Sequence, residues 1–178
     1  SERLPRILQD TELALAQVPH DKDPRIEAQR QSSLRSIGGG VQAFTRIFLA
    51  QLEASLTSLR PTPRQPEASK HEDGQILTLA LLDDDHDNDT ILLDNLASRI
   101  ESRNSLELQL LGHRFGVLAG APAFEGERLP LGAYAFCHAL SEAVDALSLS
   151  QQARRQLLFQ FERVLVDFYP ELLARFNA

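Results

Sequence analysis

The chain has 178 residues, enough for one domain or two small ones with a genuine core, and its 43% hydrophobic and 24% charged content excludes a disordered polymer. A net charge of −7 argues against a nucleic-acid or anionic-membrane binder, since both need a basic face to neutralise phosphate. One cysteine, Cys137, leaves no disulfide framework and no thiolate metal cluster.

In chain order, Leu4, Ile7, Leu8 and Leu15 predict a first helix over Arg3–Gln17, closed by Val18-Pro19. Asp21 or Asp23 then caps a second helix with Pro24 in its first turn, where a missing N–H costs nothing. Ile26, Leu34 and Ile37 give that helix one apolar face. Gly38-Gly39-Gly40 predicts a break or hinge, because each glycine weakens a helix by about 1 kcal/mol relative to alanine. A phosphate-cradling loop is the sharper reading of the glycines, but no Lys-Ser/Thr follows them. Val41, Phe44, Phe48, Leu52, Leu56 and Leu59 restore helical periodicity, with Ile47 and Leu49 widening the face. The run Arg60-Pro61-Thr62-Pro63-Arg64-Gln65-Pro66 and the polar residues after it read as a linker over 60–75, between an N-terminal helical region (1–59) and a main helical domain (76–178).

The main domain opens with a strand-like apolar run, Ile76–Leu82, which is too short to cross a bilayer. No basic-then-apolar leader opens the chain, so a cytoplasmic protein without membrane insertion is expected. The absence of methionine and the start at Ser1 read as a piece of a longer protein, and a processed terminus would look the same. A central helix is predicted from Thr90 to about Ala119 on the stripe Leu93, Leu96, Ile100, Asn104, Leu108, Leu111, Phe115, Leu118. In its second half Leu106, Leu110 and Val117 add a further apolar face, which predicts a full core there. Asn104 reads either as a polar residue fixing the register of a helix–helix seam or as one that reaches water. Gly120-Ala121-Pro122 ends this helix. A helix from near Leu131 follows, with Phe136 or Cys137, Leu140, Val144 and Leu147 inward. Ser148 or Ser150 caps the last helix, whose stripe is Leu157, Phe161, Val164, Phe168, Leu172, Phe176, with Pro170 expected to kink or divide it. The fold class is all-α, a bundle of six or seven helices with at most one short extended piece.

Asp83, Asp85, Asp87, Asp89 and Asp94 resemble a calcium loop, yet Asn88 stands where the turn glycine belongs and Asp94 where a bidentate glutamate does. They read instead as charges complementing the N-terminus of the central helix. His20, His71, His86, His113 and His138 show no metal-ligand spacing. Cys137 and His138 are helix neighbours about 100° apart, so a buried cysteine beside a more exposed histidine is expected. No catalytic residue, metal site or cofactor is predicted. Arg99-Ile100-Glu101-Ser102-Arg103 has the two-arginine spacing with which PilZ domains grasp cyclic di-GMP, but neither the second PilZ motif nor a barrel accompanies it. On a helix the two arginines are one turn apart, with Arg103 able to pair with Glu107.

Several pieces resemble a known family: Leu79–Asp85, Ile100–Asn104, Leu111-Gly112-His113-Arg114-Phe115-Gly116-Val117-Leu118-Ala119-Gly120, Leu129–Gly132, Phe161-Glu162-Arg163 and Leu172–Asn177. They are similar to the N-terminal part of a bacterial family catalogued as domain of unknown function 1631, best over 76–178. Members of that family are longer. Some carry a thymidine phosphorylase label, for which this chain has neither a phosphate-binding constellation nor an α/β scaffold, and some are linked to PilZ domains. The resemblance and the residues together predict a non-enzymatic regulatory or protein-interaction module of a larger cytoplasmic protein, with cyclic di-GMP read only through a separate domain. Leu96, Arg99, Ile100, Arg103, Asn104 and Arg163 are the candidate interaction residues, for a protein partner or for self-association along the Ile100–Asn104 seam. The alternative is a small-ligand sensor, holding its ligand between helices near Arg103, His113, Arg114 and His138.

Overall fold

A computed structural model describes residues 3–57 and 84–178, with the backbone alone for residues 84–87. The linker over 60–75, the strand-like run Ile76–Leu82 and Asp83 lie outside the described residues. Among the described residues six α-helices follow one another, α1 (Arg3–Gln17), α2 (Pro24–Thr57), α3 (Asp84–Arg103), α4 (Ser105–Ala119), α5 (Ala133–Asp145) and α6 (Gln151–Asn177), with one 3-10 turn at Gly126–Arg128. Among the described residues there is no strand, and the fold is all-α.

The ends of these helices follow local chemistry. Asp23 opens α2: its Oδ1 accepts from the Arg25 N–H at 2.8 Å, and Pro24 fills the first turn. Ser150 caps α6 by accepting from the Ala153 N–H, and the Ser33 hydroxyl donates to the Ser150 hydroxyl at 3.0 Å, which fixes that cap to α2. Gly120 closes α4 in the left-handed region (φ 62°), where glycine meets no Cβ penalty.

The helices share one core on both sides of residues 58–83. α5 lies between α2 and α3, while α6 packs against α1 and α4. At the centre, Phe48 meets Phe136 and Phe161 with ring centroids 6.1 and 6.0 Å apart, and Phe136 meets Tyr169 edge-on at 5.7 Å. The Tyr169 hydroxyl donates to the Leu131 carbonyl at 3.0 Å, holding the turn where Leu131 takes φ 60°. Around the first corner, the buried Arg30 grips the Glu27 carboxylate at 2.6 and 3.0 Å and donates at 3.0 Å to the Leu15 carbonyl at the end of α1, which also accepts a longer bond from the Val18 N–H.

Four expectations need correction. The three glycines do not break a helix, since α2 runs through them. A Cβ on Gly40 would stand 2.3 Å from Leu147 Cδ2, so the gap in side chains is a notch that receives Leu147. The central helix divides at Asn104 (φ −121°, ψ 29°), and the pairing of Arg103 with Glu107 across that break is not formed. The second apolar face of α4 does not enter the core: Leu106 is 73% exposed, Leu110 47% and Val117 83%, and Leu118, placed on the inward stripe, is 79% exposed. Their helix has only one buried side, through Leu108, Leu111, Gly112 and Gly116. Finally, Pro170 lies within α6 without dividing it, and the buried stripe after Phe161 runs Leu165, Tyr169, Leu173. Val164, Phe168 and Leu172 are half-buried beside it and Phe176 is exposed. The step of four runs from Ala153 onward, and within it the Tyr169 hydroxyl reaches the Leu131 carbonyl.

Candidate functional site

Three of the sequence-predicted interaction residues converge. Arg99 and Arg103, one turn apart on α3, and Arg163 on α6 line a shallow groove of about 250 Å³ together with Phe159, Glu162, Val166 and Asp167. Arg99 pairs with Glu162 across the groove, an exposed contact that contributes about 1 kcal/mol or less. Arg103 and Arg163 hold no ion pair among the described residues, and Phe159 is 58% exposed between the helices. With three cations against two carboxylates, the groove is locally positive on an acidic chain. Planar guanidinium groups beside an exposed ring suit carboxylates carried on an apolar backbone.

The other three candidates lie elsewhere. Leu96 and Ile100 are 5% and 1% exposed, and Asn104 is 9% exposed, so the seam expected to meet another molecule is closed within this chain. Asn104 donates from Nδ2 to the Ile100 carbonyl at 2.8 Å, and its own N–H is shared between Ile100 and Glu101 carbonyls. Its amide does not cross to a facing helix; it satisfies the turn at which α3 stops.

A second concavity of about 580 Å³ opens between α2, α3 and α5, with Ser55, Asp94, Glu127, Tyr134, His138 and Glu142 in its wall. Of the sensor residues expected from the sequence only His138 lines it. His113 and Arg114 stand on the exposed side of α4, where Arg114 donates to the Phe176 carbonyl at 2.9 Å. Cys137 also borders the cleft but is buried, while His138 is exposed, as the sequence predicts. Burial, reinforced by Asp94 and Glu101, pushes the Cys137 thiol up to about 12, so it is a neutral S–H at pH 7. Burial, then the nearby Glu101, Asp94 and Glu127 carboxylates, raise Tyr134 as well, and burial with Glu127 raises Glu101.

Of the acidic cluster, Asp89 is buried and accepts from Arg154 Nε at 2.8 Å. Asp94 turns to the cleft, and no group of three or more metal-type ligands forms among the described residues. A third concavity, of about 660 Å³ between α1, α2 and α6, is lined by apolar side chains such as Leu4, Phe48 and Leu172, with Arg3 and Arg175 at its rim. Sequence reasoning passed over this groove and Phe159. Phe159 sits two residues from each of the core positions Leu157 and Phe161, and that offset from the stripe is the signal that marks it as outward-facing.

Fold and surface together define a helical bundle with grooves between its helices. The chain belongs to the family described as protein of unknown function (DUF1631), N-terminal domain, whose profile matches residues 4–178. The match extends the likeness seen over 76–178 to α1 and α2. No curated protein and no solved structure gives a match. None of the helices in the described residues is long and apolar enough to cross a membrane.

Proposed function

We propose that this chain is a non-enzymatic protein-interaction module that docks an acidic, apolar-studded segment of a partner protein in the groove between α3 and α6. The observation that carries the reading is the convergence of Arg99, Arg103 and Arg163 around the exposed Phe159. Partner carboxylates would meet Arg103 and Arg163 in charge-assisted hydrogen bonds of about 1.5–3 kcal/mol each, while apolar side chains cover Phe159 and Val166. The reading includes a larger cytoplasmic protein around this module and no nucleic-acid partner. If cyclic di-GMP enters, it does so through a separate PilZ-type domain. The reading includes no enzymatic role; Cys137, the one cysteine, is buried, and the His138 imidazole lies on the exposed side of α5.

Fluorescence anisotropy with a labelled helical peptide of alternating glutamate and leucine content tests it. Binding should weaken with salt, and the double variant Arg103→Glu/Arg163→Glu should lose at least about tenfold in affinity with an unchanged circular dichroism spectrum. Affinity indifferent to salt and to both substitutions would refute it. A second reading, a small-ligand sensor, draws on the cleft between α2, α3 and α5. Its volume falls in the usual ligand range of about 300–1,000 Å³, and Asp94, Glu127 and Glu142 suit a cationic ligand. Spermidine leaving the melting temperature unchanged would count against it.

A further inference from the structure

The exposed face of α4 has a symmetry that the arginine groove does not use. Leu106, Leu110, His113 and Val117 recur in steps of four, three and four, which places all four within one narrow stripe on the side of α4 opposite Leu108 and Leu111. Leu106, Leu110 and Val117 are 73%, 47% and 83% exposed, more apolar side-chain surface on one helix face than scattered surface leucines account for. The spacing reads the same from either end. A helix laid antiparallel on this one with the same spacing would set Leu106 against position 117 and Leu110 against position 113. Any helix with heptad spacing can meet such a stripe, and a second copy of this chain does so by construction.

Charge points the same way. Glu107 and Arg114 lie on one flank of the stripe. About a two-fold axis perpendicular to the paired helices, that flank meets its own copy, so Glu107 comes level with Arg114 of the second copy within about two residues, twice over. Arg114 spends one N–H on the Phe176 carbonyl and keeps the rest of its five donors for a carboxylate. We propose that this chain self-associates as a two-fold dimer through α4, paired antiparallel with α4 of a second copy at the level of Leu111 and Gly112. The pairing is independent of the arginine groove and of what that groove holds.

Sedimentation velocity on the full chain from about 1 to about 500 µM should show a reversible dimer, and Leu110→Glu should weaken it at least about tenfold while the helical signal is kept. Orientation is read by disulfide formation. Leu106→Cys mixed with Val117→Cys should give the mixed cross-link, while Leu106→Cys alone should not link to itself. In the antiparallel pair the two copies of residue 106 lie roughly 16 Å apart along the axis, beyond disulfide reach. A monomer throughout that range, a dimer indifferent to Leu110→Glu, or ready self-linking of Leu106→Cys would each overturn the proposal.

Discussion

Gly112 and Gly39 occupy helices of the same fold and should respond oppositely to alanine. A Cβ on Gly112 would stand 2.1 Å from the Phe124 carbonyl oxygen, a backbone atom held in place by the Phe124 N–H donating to the Gly112 carbonyl. Gly112→Ala should therefore destabilise by about 2 kcal/mol or more, read from urea midpoints. Around Gly39 nothing lies within 4 Å, so Gly39→Ala should add about 0.5–1 kcal/mol from helix propensity alone. Glu27 gives a pH prediction. Its hydrogen bond with Arg30, against an opposing contribution from burial, holds its carboxyl at about 2, below the ordinary 4.5. A depressed folded value stabilises above the unfolded value and is lost as the pH falls through the folded one. The deficit of Glu27→Gln at pH 7 should accordingly shrink from about pH 4.5 downward and vanish near pH 2, measured by thermal melts across that range. Neither glycine's sign is written in the sequence, because it depends on what arrives from a loop.

At the scale of the element, some starts and stops were legible because they are chemical: Asp23 before Pro24, Ser150 ahead of α6 and Gly120 behind α4 each answer an open backbone group, whereas α3 begins at Asp84, ahead of the expected Thr90. Interruptions were not, because propensity is a weak prior that neighbours override. Three glycines continue as helix where Leu147 fills the notch, and Pro170 continues because the buried Tyr169 and Leu173 hold the helix on both sides of it. That second case is testable. Pro170 is exposed and denies the Val166 carbonyl its usual N–H, so Pro170→Ala should stabilise α6 by about 1 kcal/mol or more, seen as a higher urea midpoint with an unchanged slope. Periodicity found α4's two apolar faces but not which one the core would claim; Gly112 and Gly116 decide it by letting the returning loop lie against their side.

Across the whole molecule, Arg154 joins three helices. From the first turn of α6 it donates to Asp89 on α3 and to Asp145 at the end of α5, both at 2.8 Å. Burial works against its charge, and the hydrogen bonds to Asp89 and Asp145 outweigh that and raise its pKa. Asp89 is only 6% exposed, so Arg154→Met should leave a carboxylate buried without its cation and destabilise by about 3–5 kcal/mol; Asp89→Asn in the same chain should recover part of that loss in chemical denaturation. Asp89 did not announce itself in the sequence, where it reads as one of several aspartates at a helix start. The candidate surface divided in the same way. Arg99, Arg103 and Arg163 stay on the surface and share one groove, whereas Leu96 and Ile100 turned inward because α5 covers the face they share.

Because α2 runs unbroken for 34 residues, one rod of roughly 50 Å carries the α1 corner on its first half and the wall against Phe136 on its second. Its middle is the stretch where the backbone has least intrinsic reason to stay coiled, and only outside contacts hold it there. Deuterium should enter the amides of Gly38 and Gly39 ahead of those on either side.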